Sequence, residues 1–426
     1  MNKTVDPFAR ACDNKAAKMN KNSEIGIKPV ANGATAAAGF VAAGVACGVR
    51  YEGRRDLGLL FSEEPEYTAA VVQTTNVLQA APLLVTREAV EEGGVRAVAV
   101  NSGIANAATG GRGLEDAYKM QALAAAELGL EKEEVAVSST GVMGEYLPLD
   151  RIEVGLKGAV ASLSEDGSAF AEAILTTDTH TKEAVARVQI GDVSVTVGGV
   201  AKGSGMIHPN MATMLAFVTT DAAVEKECLQ STLLEATDKT FNRITVDGDT
   251  SPNDTVLLMA NGAAGNETLT TESPDLPAFE EAVEAVMRAL AKEIARDGEG
   301  ATKLVEVVVE GAKSEESAAA LAKTVVGSNL FKAAVYGEDA NWGRVLNAMG
   351  YAGVPFDPYR VELFFGPVKV FANGEPVARD EAEANATLAG DEVRVTARLP
   401  EGVASATAWG CDLTYEYVKI NGSYRT

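Results

Sequence analysis

Apolar and polar positions change period several times along the chain. Short apolar runs bounded by turn residues occur at 57–61, 68–73, 95–100 and 135–138, and each predicts a strand. Residues 114–128 instead place their apolar side chains at helical spacing, as do 170–175 with their flanks. A longer helix is predicted over 277–296, with Pro277 in its first turn and Gly298 just past its end. The closing third reads mostly as β, with strands at 304–310, 361–365, 368–371, 392–398 and 406–420. The first residues are polar, lysine-bearing and without period, which predicts a loosely docked arm. Mixed α and β follows from the alternation.

Composition narrows the picture. The 426 residues are 46% apolar and 23% charged, as in ordinary globular proteins, and suffice for two to three domains or two lobes sharing a core. Aromatics make up only 6%, against 41 glycines, so the core is built from small residues and needs sheets and helices in close layers. A net charge of -23 argues against a nucleic-acid or anionic-membrane surface. No run is apolar and long enough for a membrane span: residues 35–49 carry no charge before Arg50 but are mostly Ala and Gly. Cytoplasmic residence is the expectation. Pro/Ser-rich linkers and solenoid repeats are absent, so the pattern marks no domain boundary.

Scarcities limit the chemistry further. Two histidines, His180 and His208, exclude a three-His metal site and an HExxH protease. Four cysteines, Cys12, Cys47, Cys228 and Cys411, show no CxxC spacing and are expected as free thiols in a reducing compartment. Lys202-Gly203-Ser204 lacks the rest of a P-loop, Gly298-Glu299-Gly300 lacks the third glycine of a dinucleotide fingerprint, and no GxSxG elbow occurs.

The most unusual segment is 198–217. It opens as a glycine-rich loop with one lysine, Lys202, turns at Pro209-Asn210, and becomes an apolar strand in which Thr213 is the hydroxyl. Such a loop can deliver one threonine to the head of a strand, as a nucleophile precursor requires; spacing alone favours a glycine loop feeding an ordinary buried strand. Asp247, Asp249, Asn253 and Asp254 cluster without EF-hand spacing, which predicts turns with Asx-type hydrogen bonds.

KGSGMIHPNMATML (202–215), taken with SSTG (138–141), TTDTH (176–180), RDGEGATK (296–303), GEDANWGR (337–344) and NGSYRT (421–426), closely resembles the ornithine acetyltransferase family of arginine biosynthesis. The resemblance runs from about residue 25 to the end, with the motifs in the family's order. It implies an α+β fold: a layered α/β sandwich of the aminopeptidase and ornithine-acetyltransferase type, N-terminal-nucleophile-like and self-cleaved into two chains. The implied organisation is an arm over 1–25, an alpha chain over 26–212 and a beta chain over 213–426, cut between Ala212 and Thr213.

In that family Thr213 would be the nucleophile. A threonine hydroxyl needs a base to react at neutral pH, and a freed α-amino group, with a pKa of about 7.7–8.0, is suited to the role. The resemblance places the oxyanion hole at Thr140 and Gly141, and substrate contacts at Thr176, Lys202, Thr213, Glu299, Asn421 and Thr426. The implied reaction moves acetyl from acetylornithine to glutamate by a ping-pong cycle. Acetyl-CoA is the possible second donor, with the bifunctional form the one leaned toward, and no metal or organic cofactor is implied. Two alpha and two beta chains would make a heterotetramer. An aminopeptidase or amidase, in which water replaces glutamate, and a non-catalytic metabolite-binding protein are the competing readings. The chain departs from the family's pattern at Ile104, Thr181 and Ala340, and Ile104 leaves the role of its loop open.

Overall fold

A computed structural model of the chain describes residues 32–92, 94–208, 214–378 and 381–423. The expected arm over 1–25 and Cys12 lie outside them.

The strands in chain order are β1 (Phe40–Val45), β2 (Leu57–Ser62), β3 (Thr68–Gln73), β4 (Ala97–Ile104), β5 (Val135–Val142), β6 (Lys182–Ile190), β7 (Val193–Lys202), β8 (Leu215–Thr220), β9 (Ile244–Thr245), β10 (Thr255–Ala260), β11 (Leu304–Ala312), β12 (Glu362–Phe365), β13 (Val368–Ala372), β14 (Glu375–Pro376), β15 (Glu392–Arg398) and β16 (Ala404–Cys411). They form a four-stranded sheet, β1-β2-β4-β5, a five-stranded sheet, β3-β10-β8-β7-β6, and a seven-stranded sheet, β14-β13-β12-β15-β11-β16-β9.

Strand alternation shows how the first two sheets stack. Phe217 of β8 and Leu257 and Met259 of β10 share a core with Leu60, Val98, Val100 and Ala136 of the four-stranded sheet. Their sequence neighbours Ala216, Val218, Val256 and Leu258 point the other way, onto the helices Lys226–Lys239 and Leu276–Arg296. The four-stranded sheet likewise turns Ala97, Ala99, Val135 and Val137 toward the helices Gly110–Leu128 and Leu149–Ala161. The result is four layers, helix, sheet, sheet, helix, so the expected layered α+β sandwich is what forms. Strands buried on both faces read as continuous apolar runs, which explains why LAFVTT and TVLLMA show no alternation in sequence. Phe170, on the short helix Ser168–Ala173, meets Phe217 of β8 edge to face inside this shared core, with ring centroids 5.6 Å apart.

The seven-stranded sheet has its own core with the helices Glu315–Val326 and Trp342–Gly350. It meets the sandwich through Leu304, Trp409 and Cys411. Here the expectation of a mostly β closing third fails. Ser314, Ser328 and Asn341 each accept a backbone N–H and start helices at Glu315, Asn329 and Trp342. Residues 406–420 are not one strand: β16 ends at Cys411, and Thr414 caps a helix over Tyr415–Gly422. No helix of the described residues is long and apolar enough to cross a membrane. Cys47, Cys228 and Cys411 are free thiols, as expected.

Candidate active site

The two sheets of the sandwich converge on one cavity of about 250 Å³. Antiparallel pairing sets the end of β7 against the start of β8, Lys202 opposite Leu215, and parallel pairing sets Thr255 beside Leu215. One end of the five-stranded sheet, along its strand termini, therefore brings together Lys202, Met214 and the segment entering β10, and the end of β5 adds Thr140 and Gly141 from the facing sheet.

Gly141 stands at φ 128°, and a Cβ there would lie 2.3 Å from the Gly103 carbonyl carbon, so the position excludes any side chain. The strand behind it is pinned. Ser139 Oγ donates to Asn101 Oδ1 at 2.6 Å, Asn101 Nδ2 donates to the Ile104 carbonyl at 2.9 Å, and Asn253 Nδ2 donates to the carbonyls of Ala105 (2.7 Å) and Ser139 (2.8 Å). Ile104 itself packs into the core and is not among the residues lining the cavity.

Among the described residues lining the cavity, Lys202 is the cation. Its Nζ donates to Thr176 Oγ1 at 2.6 Å and, more weakly, to Thr140 Oγ1 at 3.4 Å, and lies 3.7 Å from Asp178 Oδ2. Burial pushes the Lys202 ammonium below its ordinary pKa, while the Asp178 carboxylate works against that. Burial alone would raise the Asp178 carboxyl; Lys202, Lys182 and backbone hydrogen bonds overcome it and hold the group well below the usual range.

The opposite wall carries Glu299, in the turn after Leu276–Arg296. Glu299 is buried, takes a hydrogen bond from Asn421 Nδ2 at 2.7 Å, and faces Gly205, where a Cβ would come within 2.4 Å of its carboxylate. Thr414 Oγ1 donates to the Gly300 carbonyl at 2.7 Å, tying the Tyr415–Gly422 helix to this turn. Asp247 accepts the backbone N–H groups of Met206 and Ile207 at 2.6 and 2.9 Å and so fixes the glycine loop; Met206 stands at φ 56°, a left-handed conformation that these bonds hold. Beyond the loop, burial and the nearby Lys323 lower the His208 pKa to about 4, which leaves a neutral imidazole whose Nδ1 pairs with Thr245 Oγ1 at 3.0 Å.

The structure thus brings together Thr140, Gly141, Thr176, Lys202, Glu299 and Asn421. Ala212, Thr213 and Thr426 lie outside the described residues, but Met214, bonded to Thr213, lines the cavity. GEDANWGR divides into a turn over 337–341, whose Ala340 packs into the core of the seven-stranded sheet, and the first residues of the helix Trp342–Gly350. Asp247 and Asp249 form the expected Asx turn (3.2 Å), whereas Asn253 and Asp254 do more, walling the cavity. Asp178, Lys182 and Asp297 were not singled out in the sequence. Asp178 sits inside TTDTH and Asp297 inside RDGEGATK, so both motifs held the signal. Among the described residues no group of His, Cys, Asp and Glu is arranged to hold a metal.

A family model for the ArgJ family matches residues 41–426. The chain belongs to the ArgJ family. It is 57% identical over 400 residues to the arginine biosynthesis bifunctional protein ArgJ of Symbiobacterium thermophilum, covering 93% of this chain and 99% of that one. The ArgJ of Bacillus subtilis is 52% identical over 405 residues, covering 95% and 99%. Among solved structures, ArgJ from Bacillus halodurans aligns with TM-score 0.49 and 51% identity over 50% of this chain and 100% of its own. An ornithine acetyltransferase complexed with ornithine, from Mycobacterium tuberculosis, aligns with TM-score 0.41 and 40% identity over 44% and 100%.

Proposed function

We propose that this ArgJ-family chain cuts itself between Ala212 and Thr213 and then moves acetyl from acetylornithine to glutamate through an acetyl ester on Thr213. The observation that carries this is one cavity in which Met214, Thr140, Gly141, Lys202 and Glu299 meet.

The freed α-amino group of Thr213 takes the hydroxyl proton as Oγ attacks the acetamide carbonyl. The Gly141 N–H and the Thr140 hydroxyl donate to the oxyanion. Thr140 Oγ1 already accepts from Lys202, which leaves its own proton to face the cavity. Collapse expels ornithine, whose amine takes back the proton. The acetyl ester is then attacked by the amine of glutamate, which regenerates Thr213. Charge complementarity assigns Lys202 to the substrate α-carboxylate and Glu299 to the side-chain ammonium of acetylornithine. Thr176, Asn421 and Thr426 complete the polar contacts. The cavity is sized for an acetylated amino acid, so an acetyl-CoA donor would leave its nucleotide outside while the thioester enters. The cycle calls on no metal or organic cofactor.

Cleavage would fall between β7 and β8, which are neighbours in one sheet, so the alpha and beta chains stay joined by the ladder of Val197–Lys202 with Leu215–Thr220. Two such pairs would form the heterotetramer, working in the cytoplasm. The assay is acetylornithine plus glutamate: acetylglutamate and ornithine should appear in equal amounts. Ornithine and free acetate with no acetylglutamate would replace this reading with a hydrolase. Acetyl-CoA in place of acetylornithine tests the second donor.

A further inference from the structure

Behind Lys202 lies a closed charge cluster that the acyl-transfer steps do not use. Lys182 Nζ donates to Asp178 Oδ1 at 2.8 Å and to Asp297 Oδ2 at 2.6 Å, and the side chains of Lys182, Asp178 and Asp297 are 0%, 0% and 4% exposed. Asp178 also accepts the backbone N–H groups of Gly203 (2.7 Å) and Thr176 (3.0 Å), the residues that flank the cavity on either side of it. Asp297 accepts the Thr179 N–H at 3.0 Å and the Thr179 hydroxyl, and its carbonyl accepts Ser204 Oγ at 2.6 Å. The Ser204 carbonyl in turn accepts the Glu299 N–H at 2.9 Å. Two lysines and two aspartates are thus buried together, with the partly exposed His180 3.5 Å from Asp297 on the outer side and Glu293 beyond it, and they touch the loops bearing Lys202, Thr176 and Glu299.

We infer that Asp178 is a positioning residue for acetyl transfer: its carboxylate keeps Lys202 charged, so that Lys202 can only donate to the Thr140 and Thr176 hydroxyls. The inference rests on the proposed role of Thr140 at the oxyanion.

The reason is hydrogen-bond polarity. An ammonium has three donors and no acceptor, so a threonine oxygen beside it must accept, and the threonine proton turns toward the cavity. A neutral amine could accept from Thr140 or Thr176 instead, and that proton would turn away from the oxyanion. Burial favours the neutral amine. Of the charges facing Lys202, Asp178 is the nearest and opposes burial; Glu299 and Asp254 add to it, and Lys182 works against it.

The test is the pH profile of kcat for acetylornithine with glutamate, on protein whose cleavage has been confirmed by mass. The acid limb belongs to the Thr213 amine and the alkaline limb to Lys202. Asp178→Asn should move the alkaline limb down by one pH unit or more, a loss of roughly tenfold in rate per unit above the new limb, with the acid limb unmoved. Asp178→Glu should return the limb toward its wild-type position. Lys182→Met removes a like charge and should move the alkaline limb up. Opposite shifts from two variants of one cluster are not what general loosening produces. Equal losses at every pH, with both limbs in place, would overturn the inference. If Asp178→Asn does not fold, Lys182→Met decides, with an unmoved alkaline limb counting against it. A wild type that fails to make acetylglutamate overturns the functional reading; an active wild type with insensitive variants overturns only this one.

Discussion

The cationic and acidic walls of the cavity are held in different ways. Lys202 ends an interior strand beside Asp178, which pairs in turn with Lys182 and through it with Asp297, and these four side chains are almost wholly buried. Glu299 stands in a turn, and among the described residues its carboxylate is met by one amide, Asn421 Nδ2, from an exposed position on the Tyr415–Gly422 helix. Taking a lone charge out of water costs several kcal/mol, so a buried lysine needs a balanced neighbourhood, and that neighbourhood fixes its position. Glu299 is buried as deeply, but its side-chain partner among the described residues comes from an exposed helix, so its surroundings are the looser of the two. The first wall suits a task that every turnover shares, polarising the hydroxyls around the acyl carbon. The second suits discrimination between substrates, since acetylornithine carries a side-chain ammonium where glutamate carries a carboxylate.

Substitutions can break that contrast, and the largest effect belongs on the shared wall. Thr140→Val removes a proposed oxyanion donor and should lower kcat by about 10²–10³, with KM little changed and both half-reactions affected alike. On the other wall, Glu299→Gln keeps the shape and loses the charge. It should lower kcat/KM for acetylornithine by roughly 10–100-fold, the worth of a charged hydrogen bond, and affect glutamate less. Equal losses for both amino acids would erase the distinction between the walls. Asn421→Ala removes one neutral donor from Glu299 and should cost about three- to tenfold, again mainly with acetylornithine.

A smaller effect sharpens the comparison outside the cavity. The His208 pKa is lowered from 6.5 to about 4 in the fold, so on acidification the unfolded chain takes up a proton that the native chain refuses. The stability this gives is present above about pH 6.5 and is lost as pH falls toward 4. His208→Gln should therefore flatten the fall of Tm over that window. An unchanged slope would mean that another group sets it.

The site's contiguous motifs were legible because loop chemistry is local. Glycines mark where backbone must approach backbone, as at Gly141 and Gly205, and a single lysine in KGSGM stands out. Of the sandwich strands, β2, β3, β4, β5 and β8 were legible within a few residues as apolar runs between turns; β1, β6, β7 and β10 were not, and residues 198–202, expected as a glycine-rich loop, are the end of β7. What stayed hidden depends on distance in sequence. Nothing local says that β10 pairs with both β3 and β8, or that Lys182 meets Asp297 across 115 positions. Isolated Asp and Lys usually face water, so Asp178 passed as part of a threonine motif. The helices of the closing third were missed because their start signals are single serines or asparagines. The break at Asp412 was missed because its carboxylate is spent on the N–H groups of Thr302 and Lys303, a contact that exists only after folding.

The central claim is a covalent one, and mass spectrometry reads it directly. Wild-type protein incubated with acetylornithine alone, then denatured, should give two chains, with one acetyl group on the peptide that begins at Thr213, and glutamate should remove it. Thr213→Ala should remain an uncut 44.3 kDa chain without acetyl. An uncut wild type, or an acetyl group found elsewhere, would contradict the account.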